Sequence, residues 1–122
     1  MSRLERSREE IEAARFLVSG GFFAAAASRA YYAAFYAAEE ALSKLGESRS
    51  THSGVISAFG RFAVREGGVD PDYGRILRLL FESRSRADYD VEPVASEQAD
   101  DAIVDAERFV DAVEDWLANR EA

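Results

Sequence analysis

An arginine occupies a place where a plain amphipathic helix would carry an apolar side chain. Tyr73, Leu77, Leu80 and Arg84 follow one another at intervals of four, three and four, which is one stripe of a helix, so Arg84 is expected to point inward or into a cleft. A guanidinium is always charged, and once partly desolvated it needs a carboxylate. Asp88, four residues on, or Asp90 can supply one, and Arg86 and Tyr89 lie in the same string. Such a cluster serves equally as a structural ion pair at a helix end or as a site for an anionic group. A second group, Arg29, Tyr32 and Tyr36, shares another helix face at spacings of three and seven. Phenol hydroxyls and an arginine fork beside small residues form a groove able to hold a phosphate or stack a base, although Tyr31, Tyr32, Phe35 and Tyr36 also suit a core. His52 is the single histidine. It lies near a helix start, where the positive end of the backbone dipole disfavours the imidazolium, leaving a neutral ring suited to proton acceptance or simply to packing or capping.

Other chemistries are excluded by what the chain lacks. Zero cysteines rule out disulfides, thiolate zinc sites and cysteine nucleophiles, and one histidine leaves no His-rich metal centre. There is no phosphate-cradling glycine loop, no paired-carboxylate metal motif and no His-Glu-x-x-His. No metal or other cofactor is therefore expected.

The elements that position these residues read as helices throughout. Leu4 to Val18 carries Leu4, Ile11, Ala14 and Val18 among charges and stops at Gly20-Gly21. Phe22 to about Leu45 follows, with alanine at ten of the eighteen positions from 24 to 41, until Gly46 ends it. A third helix is expected from about Thr51 to Glu66 on Val55, Ile56, Phe59, Phe62 and Ala63. Asp70-Pro71 opens a fourth, which places Tyr73, Ile76, Leu77, Leu80 and Phe81 inward and fades between Arg86 and Asp90. After Pro93, Ser96 is expected to cap a last helix with the stripe Ile103, Ala106, Val110, Val113 and Leu117, flanked by Phe109 and Trp116. Nothing alternates as a strand does. The expectation is an all-α bundle of about five helices forming a single domain over residues 1–122.

Composition agrees with a folded chain: 122 residues, 48% hydrophobic and 31% charged. The charge of −8 is unevenly spread. Residues 49–86 hold seven arginines against four carboxylates, a net +3, whereas residues 97–122 reach −7. An acidic last helix repels nucleic acid, so RNA would meet the surface of the third and fourth helices. The charged N-terminus lacks an apolar secretory stretch, and the longest apolar run, Ala30 to Ala38, is far below the roughly 20 residues of a membrane span. A cytoplasmic location without membrane association is the expectation.

Three strings in order, Ser28-Arg29-Ala30-Tyr31-Tyr32-Ala33-Ala34-Phe35-Tyr36-Ala37-Ala38-Glu39, Thr51-His52-Ser53-Gly54-Val55 and Arg84-Ser85-Arg86-Ala87-Asp88-Tyr89, resemble HEPN domains, the higher-eukaryote and prokaryote nucleotide-binding family. The resemblance runs from the second helix through the fifth. It implies an up-and-down helical bundle, frequently a homodimer, often encoded beside a small nucleotidyltransferase as a toxin-antitoxin pair. Ribonuclease members carry an arginine, four to six residues and then a histidine, which meet in a cleft and cleave RNA without metal. Arg84 matches the arginine, but the histidine positions hold Tyr89, Asp90 and Val91. The resemblance thus implies an RNA- or nucleotide-binding module, with Arg29, Tyr32, Tyr36, Arg86 and Asp88 as binding residues. Arg84 with His52 or Tyr89 would be the candidates for any cleavage. His52 is expected to approach Arg84 because both lie on apolar stripes of adjacent helices. A non-catalytic reading remains beside it, a docking or dimerisation domain whose Ala-rich second helix forms the seam.

Overall fold

The computed structural model describes residues 1–89 and 93–121. Asp90, offered above as a partner for Arg84, and Val91 lie outside the described residues. Helices α1 (Arg3–Ser19), α2 (Phe23–Lys44), α3 (His52–Ala58, prolonged by a π-helical segment Phe59–Arg65), α4 (Pro71–Tyr89) and α5 (Ser96–Glu121) make up the fold, and no strand occurs among the described residues. The all-α expectation holds.

Local chemistry explains most boundaries. Ser2 accepts the Glu5 N–H at 3.1 Å and caps α1, and Thr51 accepts the Gly54 N–H at 3.0 Å and caps α3. Helices α1 and α2 end alike. The Phe22 N–H reaches the Leu17 carbonyl and the Glu47 N–H that of Leu42, both at 2.9 Å, with Gly21 and Gly46 at φ +83° and +76°. Asp70 accepts the Asp72 N–H at 2.9 Å ahead of Pro71. The start of α5 differs from the expectation. Ser96 is already its first residue, and the Ala95 carbonyl accepts from Ala99 while Gln98 reaches back to the Ala95 N–H at 2.8 Å. The glutamine supplies the returning half of a capping box, with Ala95 at the cap position and Ser96 inside the first turn.

Helix α2 is the centre of the bundle and packs against α1, α4 and α5. Ala26, Ala27, Ala30, Ala33, Ala34, Ala37, Ala38 and Ala41 are all at most 2% exposed. Their small side chains let three helices close around one. The seam expected on the dimerisation reading is therefore consumed inside the chain. Phe109, expected on the flank of α5, is fully buried, its ring 5.1 Å from Phe59. The space between α5 and the π-helical segment is large enough to take an aromatic inward.

The third helix is not regular to its end. From Phe59 its turns widen, the Glu66 N–H bonding the Arg61 carbonyl five residues back at 3.1 Å. It finishes against α5, where Trp116 donates its indole N–H to the Gly67 carbonyl at 2.8 Å. No described helix is long and apolar enough to cross a membrane.

Candidate functional site

Arg84 enters the bundle from the last turns of α4, as its place on the apolar stripe requires. Its side chain is 21% exposed, and one terminal N–H donates to the Tyr32 hydroxyl at 3.3 Å. Nε lies 2.8 Å from the Asp88 carboxylate, yet its hydrogen is not directed at that oxygen and finds no acceptor. The ion pair is thus an electrostatic neighbour and not a full hydrogen bond, leaving donor capacity on a half-buried guanidinium. The same group lies 5.5 Å from the Tyr32 ring and 6.0 Å from the Tyr31 ring.

His52, the first residue of α3, arrives at the same two tyrosines from the other side. Its Nδ1 lies 2.7 Å from the Tyr31 hydroxyl, and its ring stacks on Phe35 at 4.5 Å and meets the edge of Tyr32 at 5.8 Å. Phe81 of α4 closes the enclosure, 5.6 Å from Tyr31 and 6.2 Å from His52. Burial, and secondarily the charge of Arg84, hold the His52 pKa below the ordinary value of 6.5. Burial likewise pushes the Tyr31 hydroxyl far above its ordinary value.

Both shifts favour the neutral groups, and the burial of the hydroxyl decides where the hydrogen between them points. Tyr31 keeps its proton, is fully buried, and has His52 as its sole hydrogen-bond partner among the described residues. A buried hydroxyl directs its hydrogen to an available acceptor, so Tyr31 donates to Nδ1, and the neutral ring carries its own hydrogen on Nε2. His52 in this state offers a donor. Burial, not the helix dipole invoked from the sequence, favours the neutral imidazole, and its Nδ1 faces the Tyr31 hydroxyl.

Tyr32 joins the second group to the first. The Arg29 guanidinium lies 4.8 Å from the Tyr32 ring and Tyr36 packs 6.1 Å away, while Arg6 covers Tyr36 at 5.3 Å. Arg29 donates to Glu10 at 2.8 Å, a carboxylate only 5% exposed that Arg6 also approaches at 3.6 Å. Arg29 is thereby committed to holding a buried charge. Arg84, His52, Tyr32, Tyr36, Arg29 and Asp88 form one continuous strip along α2. Tyr89 and Arg86 do not join it: both are exposed on the outside of α4, Tyr89 at 81%.

Glu10, and the role of Tyr31 as the partner of His52, escape the sequence reading. Ser7, Glu10, Ile11 and Ala14 recur at helical spacing and are all buried, and that spacing is the available signal for Glu10. Three or more carboxylate or imidazole groups able to share a metal ion do not occur among the described residues.

The HEPN domain profile matches residues 1–116. The chain belongs to the HEPN family. It is 35% identical over 114 residues to a Methanocaldococcus jannaschii protein named "Putative toxin", covering 93% of this chain and 85% of that protein. A UPF0332 protein of Thermotoga maritima is 37% identical over 110 residues, covering 89% and 83%, and one of Gloeobacter violaceus is 32% identical over 117, covering 94% and 93%. Within this HEPN domain, Arg84 and the Tyr31–Tyr32 pair come from two of the strings that carried the resemblance, and His52 comes from the third.

Proposed function

We propose that this HEPN domain, a single unit over the whole chain, is a toxin-like module that binds RNA or a nucleotide through Arg84, His52 and Tyr32. The observation that carries the reading is the convergence of Arg84 and His52 on the Tyr31–Tyr32 pair. Arg84 supplies a permanent charge and unspent donors for a phosphate, Nε2–H of His52 a second donor, and the Tyr32 and Tyr36 rings apolar faces for a base. Asp88 sets the tilt of Arg84, and Arg29 holds Tyr32 from behind. Arg86 and Tyr89, exposed on α4, would meet parts of a polynucleotide that extend beyond the strip.

Binding is favoured over cleavage by the hydrogen on Nε2. A general base that removes a ribose 2′-hydroxyl proton needs a free nitrogen lone pair, and Tyr31 occupies the one that is basic. The toxin-like character rests on the name of the Methanocaldococcus relative. A nucleotidyltransferase partner, a homodimeric state and action in the cytoplasm extend the reading along the family resemblance.

The test is fluorescence anisotropy of a labelled RNA and of a labelled AMP with wild type and Arg84→Gln, alongside gel analysis of transfer RNA incubated with chelator. The expected result is salt-sensitive binding that Arg84→Gln weakens at least tenfold, with the RNA intact. Chelator-resistant cleavage that disappears in Arg84→Gln would replace the binding reading with a ribonuclease, and absence of binding to either probe would remove both.

A further inference from the structure

A groove of about 620 Å3 runs between the π-helical segment and α4, with Phe81 in its lining. It is as large as a small-molecule site. Its floor is apolar, built from Ile56, Val64 and Phe81, and Arg65 and Arg78 stand on its walls. Neither arginine has an ion-pair partner among the described residues, although the chain as a whole is acidic and most of its other arginines are paired. Glu82 is the one carboxylate of the lining.

Two glycines in the lining are not explained by folding. Gly60 and Gly74 lie inside helical segments without positive φ. A β-carbon at Gly60 would meet nothing within 4 Å, and one at Gly74 only an ordinary 3.5 Å contact with Val64. Glycine is the poorest helix former after proline, so both positions carry a cost that neither backbone conformation nor crowding requires. Both open the same groove, and the irregular helix beside them is a type often found at functional sites.

We infer that this groove is a track for single-stranded RNA, seating the nucleotides next to the one held at Arg84 and His52. The inference rests on the function proposed above and extends it to the length of the ligand. Ser53, adjacent to His52, and Phe81, which lines both places, make the groove continuous with the strip. A strand leaving the tyrosine pair passes over Phe81, lays a base on the apolar floor where the bare glycine backbone lets it approach, and places its phosphates between Arg65 and Arg78. Segment 49–86, the basic part of the chain, contains every residue that lines the groove.

The test compares a labelled single-stranded RNA octamer with labelled AMP on wild type, Gly60→Leu, and Arg65→Gln/Arg78→Gln. Leucine at position 60 projects into open space and fills the groove while improving helix propensity, so loss of fold does not mimic the result; circular dichroism verifies this. Both variants are expected to bind AMP within twofold of wild type and the octamer about tenfold more weakly. The arginine variant should also flatten the plot of log affinity against log salt by about 1.4, some 0.7 for each phosphate of a single strand that is no longer neutralised. Octamer affinity unchanged in both variants while AMP still binds wild type overturns the track alone. Failure of wild type to bind either probe overturns the proposed function and the track together. Equal competition by polyglutamate of matched charge for the octamer assigns the groove to an acidic protein segment instead of RNA.

Discussion

The Tyr31 hydroxyl lies 2.7 Å from Nδ1 of His52, and this hydrogen bond decides what the imidazole can offer a ligand. With the tyrosine proton directed at Nδ1, the ring hydrogen belongs on Nε2. As His52 is the single histidine, its ring nitrogens give one unambiguous set of NMR signals. Nitrogen-15 shifts are expected to report the Nε2–H tautomer at neutral pH. Tyr31→Phe removes the hydroxyl that Nδ1 faces, so the tautomer preference is expected to weaken, while burial and the Arg84 charge still hold the His52 pKa below 6.5. An Nδ1–H tautomer in the wild type would free Nε2 as a base and reopen the cleavage reading.

The depressed His52 pKa also makes a prediction about stability. The unfolded chain takes up the histidine proton near pH 6.5, the folded chain only at lower pH, so between those values the unfolded state binds more protons. This contribution to stability is fully present above pH 6.5, is lost as the pH falls from there to the folded pKa, and changes no further below it. Denaturant midpoints measured from pH 8 to 5 are expected to decline for wild type more than for His52→Gln. Parallel profiles would mean that His52 titrates alike in both states.

Arg84 is legible because a charge stands on an apolar stripe, and the start of α4 because Asp70 stands directly before Pro71. Both signals are contained within one turn or one helix. The pairing of His52 with Tyr31 crosses 21 residues and two helices, and periodicity says only that both face inward, not that they meet. Ser96 misleads for the opposite reason, since a good capping residue is present but the helix starts one position earlier and takes Ser96 as its first residue. The widened turn after Phe59 has no signature in apolar spacing, because Phe59 and Ala63 are four apart and face the core in an ordinary helix as well. Phe109 falls on the flank only of a narrow α5 stripe, and the space beside Phe59 that widens the buried face belongs to a different helix.

Arg29 and Glu10 should respond unequally to mutation. The Glu10 side chain is 7% exposed and that of Arg29 is 36% exposed, so the arginine can regain water when its partner is neutralised but the carboxylate cannot. Arg29→Ala is expected to cost about 2 kcal/mol, below the usual range for orphaning a buried charge because Arg6 remains at 3.6 Å. Glu10→Gln keeps the shape and a hydrogen-bond acceptor and should cost under about 1 kcal/mol. Urea titrations of the two variants make the comparison. Equal losses would show that Glu10 regains water when Arg29 is removed.

Two glycines of the third helix and its exit predict opposite signs. A β-carbon at Gly67 would stand 2.7 Å from the carbonyl oxygens of both Phe62 and Ala63, which are backbone atoms and cannot step aside. Gly67→Ala must therefore push the chain away from the π-helical segment and disturb the carbonyl that accepts from Trp116, a cost of about 2 kcal/mol. At Gly60 the same substitution meets open space, and the gain in helix propensity is up to about 1 kcal/mol. Thermal melts of Gly67→Ala and Gly60→Ala are expected to fall below and above wild type, with quenched or shifted Trp116 fluorescence in the first alone. A destabilised Gly60→Ala would mean that the wide turn itself depends on glycine, and the case for a backbone kept bare to admit a ligand would lose its support.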